Sequence, residues 1–162
     1  MTVLNLVHEH IIEIARAEQN NGLLTRDDLW SQLKDFICSP QSFIESLEAC
    51  AISADSSQTH ISRTLDFGAF KLKDTVELID GRQVITHVPA TDMIPESEFT
   101  ITIEEPEKGS LFMRFCYKEA YKQGLSDNDQ VQGLRKKAWE DKDLRVVEMM
   151  MERLLKQKTN AQ

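Results

Sequence analysis

The sequence lacks the short motifs that announce most chemistry. It contains no GxGxxG, P-loop, GxSxG, HExxH or CxxC pattern, so nucleotide-binding, serine-hydrolase and metalloprotease readings have no support in it. Cysteine is scarce: Cys38, Cys50 and Cys116 are an odd number set far apart. That argues against a disulfide framework or a zinc knuckle, and reduced, mostly buried thiols are expected. Positive charge is short too. Nineteen Lys and Arg against 27 Asp and Glu leave a net charge of −8, which argues against nucleic acid and against a polybasic grip on anionic membrane. No apolar run approaches the roughly 18 residues a membrane-spanning helix needs. The N-terminus has neither the basic flank nor the clean apolar stretch of a signal peptide, so a cytoplasmic protein is expected. Internal repeats and low-complexity segments are absent as well. What is present, 41% hydrophobic and 28% charged residues, suits one soluble domain, expected over residues 1–157 with a frayed tail at 158–162.

Periodicity gives the order of elements. Residues 5–14 are rich in β-branched side chains and read as a strand whose even positions Leu6, His8, His10, Ile12 and Ile14 share a face. After a polar loop, Thr25 is a good N-cap with Asp27 and Asp28 in the first turn. Leu29, Trp30, Leu33, Phe36 and Ile37 then recur at helical spacing, and Pro40 opens a second short helix near 40–46. From Leu47 the period becomes two, predicting strands near 48–55, 59–67, 70–79, 82–89, 98–105 and 110–119. Asp80-Gly81 and the Pro106 to Gly109 turn mark tight hairpins, so the strands form an antiparallel meander. Gly124 breaks the chain, and Ser126 caps a last helix with Asp127 and Asp129 in its first turn. At about 30 residues that helix would span roughly 45 Å. Its apolar stripe is Val131, Leu134, Ala138, Trp139, Val146, Val147, Met150 and Leu154. The run Met149-Met150-Met151 covers most of the helix circumference, so only part of it can be buried.

This order resembles the α+β helix-grip fold of START/Bet v 1-like proteins. There a curved seven-stranded antiparallel sheet wraps around a long C-terminal helix, with two short helices after strand one. The chain is similar to the AtaL-like family in Leu24-Thr25-Arg26-Asp27-Asp28-Leu29-Trp30, Arg63-Thr64-Leu65-Asp66-Phe67-Gly68 and Lys73-Asp74-Thr75-Val76. The likeness continues through Thr102-Ile103-Glu104-Glu105-Pro106, Gly109, Leu111-Phe112-Met113-Arg114-Phe115-Cys116-Tyr117, Ala138-Trp139 and Asp143-Leu144. The family takes its name from a fungal toxin biosynthesis cluster, and its general activity is not established. The resemblance therefore implies a fold and a pocket, not a reaction. The loop at 89–95 departs from the expected pattern, with Met93 and Ile94 where small polar residues would be usual.

Several residues could carry chemistry. Arg63 and Asp74 stand on apolar strand faces, and a two-residue turn at Gly68-Ala69 would set them opposite each other. Neither charge is tolerable alone on an interior face, so they are expected to pair, either as a structural ion pair or with Arg63 offering spare donors to a ligand. Leu65, Phe67 and Val76 share those faces. On the last helix Trp139, Asp143, Val147 and Met150 align, and Asp143 either lies at the stripe's edge in water, which the pattern favours, or faces in as a proton carrier. His8 and His10 point the same way, but no third ligand is placed, so His10 reads as a hydrogen-bonded pocket or core histidine and no metal is expected. His87 shares a face with Ile85 and could line the cavity. The strand at 110–119 is apolar on both sides, so either Arg114 or Tyr117 enters the pocket, with Phe115 on the same face as Tyr117.

A sheet bent around one helix cannot fill its own middle, and the expectation is a cavity for a small apolar or amphipathic molecule, with no cofactor. Met93 and Ile94 would gate it. The alternatives are a polyketide cyclase/dehydratase-like enzyme using the same cavity, or a protein partner docking on the acidic surface and the 89–95 loop. Sequence leaves the ligand, the oligomeric state and the pathway open.

Overall fold

The computed structural model describes residues 2–120 and 129–160. Seven strands form one antiparallel sheet, β1 (Leu4–Ala15), β2 (Ala49–Ile52), β3 (His60–Asp66), β4 (Lys71–Ile79), β5 (Gln83–Val88), β6 (Ser97–Glu107) and β7 (Ser110–Ala120). Their spatial order is β1-β7-β6-β5-β4-β3-β2, so β2 to β7 form a meander and β1 closes on its last strand. The turns obey their residues: Gly68, Gly81 and Gly109 all adopt positive φ, which β-carbon-bearing residues rarely reach. Between β1 and β2 run α1 (Ala17–Asn20), α2 (Arg26–Cys38) and a 3-10 turn at Pro40–Ser42; α3 (Asp129–Asn160) follows β7.

One face of the sheet is apolar by strict alternation. Ile61 and Leu65 of β3, Val76 and Leu78 of β4, Ile101 and Ile103 of β6, and Leu111, Met113, Phe115 and Tyr117 of β7 are all buried. Against them pack Leu29, Trp30, Leu33, Phe36 and Ile37 of α2, the face its spacing predicts, and Val146, Val147, Met150 and Leu154 of α3. Of the methionine run, Met150 is buried, Met151 packs against the core, and Met149 stays exposed. Tyr117 is thus the inward residue of β7, while Arg114 lies on the outer face bound to Glu104 and Glu9.

Several expectations are corrected. A register shift between Leu6 and His8 turns Leu6 outward, 60% exposed, so the even positions of β1 share a face only from His8 onward. The polar loop after β1 contains the single helical turn α1. The helix foreseen at 40–46 is only a 3-10 turn, because Phe43 tucks edge-on against Phe36, centroids 5.5 Å apart, and leads the chain away. Val131, Leu134 and Ala138 are exposed; of the stripe's early members Trp139 alone turns inward, as expected, with Arg135 beside it. α3 also runs through Asn160, with Lys158 bonded to Asp28, so helix replaces tail at 158–160. Gly124, Ser126 and Asp127, and the side chain of Asp129, lie outside the described residues, as do residues 161–162.

The start of α2 is a full capping box. The Thr25 hydroxyl accepts from the Asp28 backbone N–H at 3.1 Å, and the Asp28 carboxylate accepts from the Thr25 N–H at 2.9 Å. Thr25→Ala should destabilise the protein by about 1 kcal/mol in urea unfolding, while Thr25→Ser should be nearly neutral.

Candidate functional site

Between the sheet and α3 lies a cavity of about 1160 Å³. Leu65 of β3, Leu72 of β4, Val88 of β5 and Phe99 of β6 give it an apolar floor, and Trp139, Val146 and Met149 of α3 form the facing wall. A third wall comes from Phe36 and Ile37 at the end of α2 and the segment through Phe43, Ile44 and Leu47. Sequence patterning misses this third wall because residues 40–47 carry no period; the apolar pair after a proline-ended helix is their one signal.

Five of the pocket candidates, Arg63, Leu65, Phe67, Asp74 and Trp139, line this space, and so does Ile94. Val76, Phe115, Val147 and Met150 do not: they are buried in the core that the cavity adjoins. Alternation fixes a residue's face but not its depth along the sheet, so core and cavity positions look alike in sequence. Met93 is 87% exposed and outside the lining, leaving Ile94 and Pro95 as the residues of the 89–95 loop that reach the cavity. His87 points away and binds Glu96 at 2.7 Å; Thr86 and Val88 are the β5 residues that turn into the cavity.

Arg63 and Asp74 are register partners, as the Gly68-Ala69 turn requires. The pair is bidentate, Nε to Oδ1 at 2.9 Å and Nη2 to Oδ2 at 2.7 Å, and both side chains are almost wholly buried. Nη1 donates to the Ile37 carbonyl at 2.8 Å, satisfying one of the orphan acceptors at the end of α2. The pair is therefore structural in geometry, though it forms part of the cavity wall.

Asp143 does not lie at the stripe's edge. It is 1% exposed, behind the cavity wall, and Oδ2 accepts from Tyr117 Oη at 2.6 Å and from His10 Nε2 at 2.8 Å. Lys142 Nζ stands 3.4 Å from Oδ1. His10 thus sits beside the cavity as a carboxylate-bound histidine, stacked on Phe115 at 5.1 Å. Tyr117 lines the cavity and stacks between Trp139 at 4.3 Å and Phe99 at 4.5 Å. Burial, then the charge of Asp143 and the bond to it, push the Tyr117 phenol far above its ordinary pKa. A protonated phenol, a buried carboxylate and an imidazole in series can hold or pass a proton at the cavity wall. Among the described residues no three His, Cys, Asp or Glu side chains gather as metal ligands would.

A seven-stranded antiparallel sheet, a long C-terminal helix across one face and a cavity between them define a helix-grip protein of the START/Bet v 1-like class. The chain belongs to the AtaL family, described as acetylaranotin biosynthesis cluster protein L, whose model matches residues 13–157. Solved structures agree on the fold. The Zhui aromatase/cyclase from Streptomyces sp. R1128 superposes with a TM-score of 0.65 at 11% identity, covering 94% of each chain. A START superfamily protein from Mycobacterium smegmatis gives 0.60 at 13% identity, over 92% of this chain and 97% of that one. The di-domain ARO/CYC StfQ of the steffimycin biosynthetic pathway gives 0.65 at 10% identity over 90% of this chain, which spans half of its length. No curated protein matches the sequence.

Arg63→Met should cost about 3–5 kcal/mol in urea unfolding, because it strands the buried Asp74 carboxylate. Adding Asp74→Leu should regain most of that loss. The raised Tyr117 pKa gives a second test. The fold favours the protonated phenol, so this contribution is complete below the unfolded tyrosine value of about 10 and is lost as pH rises above it. Tyr117→Phe should flatten that alkaline limb of a stability-versus-pH curve and cost roughly 1.5–3 kcal/mol at neutral pH.

Proposed function

We propose that this protein holds a small hydrophobic or amphipathic molecule in the cavity between its sheet and α3. The observation that carries the reading is the cavity itself, about 1160 Å³ with mostly apolar walls and a few polar points at Arg63, Asp74, Thr86 and Tyr117. Pockets for drug-sized ligands commonly measure roughly 300–1,000 Å³ and have this balance of lining. Ile94 gates the entrance, and Met93 beside it is exposed to solvent. The three free thiols fit a reducing, cytoplasmic setting.

The linked Tyr117, Asp143 and His10 favour a second reading, a cyclase/dehydratase-like enzyme acting on a polyketide-like substrate. A proton leaving such a substrate would pass to the Tyr117 oxygen as the phenol proton moves to Asp143. Fold likeness to aromatase/cyclases is compatible with this chemistry but does not select it.

Native mass spectrometry of protein purified from its host should reveal a co-purifying small molecule, and the emptied protein should bind Nile red saturably. Leu72→Trp, which projects an indole into the cavity, should weaken dye binding at least tenfold while the circular dichroism spectrum stays unchanged. No bound molecule together with no saturable dye binding would overturn the reading. Turnover of the recovered molecule, abolished in Tyr117→Phe and Asp143→Asn, would select the enzyme.

A further inference from the structure

We infer that the cavity selects an amphipathic ligand whose polar end is a monoanion such as a carboxylate, held by Lys142 and Arg145 on the α3 wall; this rests on the ligand-binding reading above. The chain is acidic overall, at −8, so cations left facing an apolar space require a reason. Two of the lining cations are already committed. Arg63 is spent on Asp74 and the Ile37 carbonyl, and Arg135 is bonded to Glu119 and stacked 4.8 Å over Trp139.

Lys142 and Arg145 differ. They are three residues apart, hence on one helix face, and both line the cavity. Arg145 has no hydrogen bond or ion pair among the described residues. Elsewhere on α3, Lys137, Lys156, Arg153 and Lys158 each have an acidic partner. The Lys142 ammonium lies over the rings of Phe99 and Tyr117, at 4.7 and 5.3 Å, with Asp143 Oδ1 at 3.4 Å. Asp143 Oδ2 is already taken by His10 and Tyr117, so it engages Lys142 through one oxygen, and an ammonium has three N–H donors. Its side chain is 32% exposed, so most of it is out of water, where a charge-assisted bond to an anion is stronger than in bulk solvent.

Carboxylates also line the cavity, but on other elements. Glu119 is held by Arg135, Glu98 faces Lys118 across the β6–β7 ladder, and Glu45 is exposed on the segment before β2. The α3 wall is therefore positive, and the ligand's apolar body would lie over Leu65 and Leu72 with its charged end toward Lys142.

The test uses three ligands of equal chain length, decanoate, decanol and decylammonium, each displacing Nile red from the full chain at neutral pH. Decanoate should bind at least tenfold tighter than decanol. The double variant Lys142→Met/Arg145→Met should remove that preference and leave decanol affinity within twofold. Arg145→Met alone, at an exposed position, should lower the preference severalfold, which keeps the test open if the double variant misfolds. Equal affinity for decanoate and decanol, tighter binding of decylammonium, or a preference that survives in the double variant would overturn the anion assignment and leave the cavity reading standing. Displacement by none of the three would remove both.

Discussion

A carboxylate that the fold has removed from water governs this molecule. Asp143 is 1% exposed, and an ionised carboxylate in such a place costs several kcal/mol unless donors surround it. Its donors come from two strands remote in sequence, His10 on β1 and Tyr117 on β7, and from Lys142 beside it. Those bonds fasten the middle of α3 to the β1–β7 edge of the sheet. The next turns follow, with Val146, Val147, Met150 and Leu154 packed among the core side chains. A helix held at one edge, with α2 packed on part of the face, leaves only some of β3 to β6 without cover. The cavity is that uncovered part, which is why its floor is Leu65, Leu72, Val88 and Phe99.

The opposite wall is fixed by a second buried charge pair. Arg63 grips Asp74 across β3 and β4 and also holds the Ile37 carbonyl, so it ties the end of α2 to the sheet. A bidentate pair of this kind is electrically neutral toward the cavity. The aromatic side is equally set in place. Trp139, Tyr117, Phe99, Phe115 and His10 stack in sequence from α3 down to β1, with centroid separations between 4.3 and 6.2 Å. Such offset stacks resist side-chain rotation, so the cavity is shaped before anything enters it.

How much of this was legible depended on how local its cause was. The hairpins could be read because each turn carries its own chemistry, and the Gly68-Ala69 turn set the register that puts Arg63 opposite Asp74. Asp143 could not be placed, because its position at the border of a helical stripe is settled by partners 26 and 133 residues away. Leu6 lies on the face opposite to the one alternation predicts because one irregular register step reverses the pattern, and nothing in the residues marks that step. The wall at Phe43 to Leu47 has no periodicity to detect. Val76, Phe115, Val147 and Met150 were right in facing inward and wrong in depth, since one sheet face serves both as core and as cavity floor.

Lys142 connects the two halves of this design. Its ammonium is shared between Asp143, on which the helix anchor depends, and the cavity it lines. On the proposed binding mode an anionic ligand shares the Lys142 ammonium with Asp143, taking N–H donors that Asp143 leaves free, so occupancy and the strength of the anchor are coupled. Such coupling is reciprocal: whatever the ligand changes at Asp143, a change at Asp143 returns to ligand affinity in equal measure. Tyr117 receives that change first, because its proton is committed to the same carboxylate oxygen that His10 holds. The residues that would orient a ligand are thus bonded directly to those that would move a proton, and binding and chemistry here draw on one hydrogen-bonded unit rather than two.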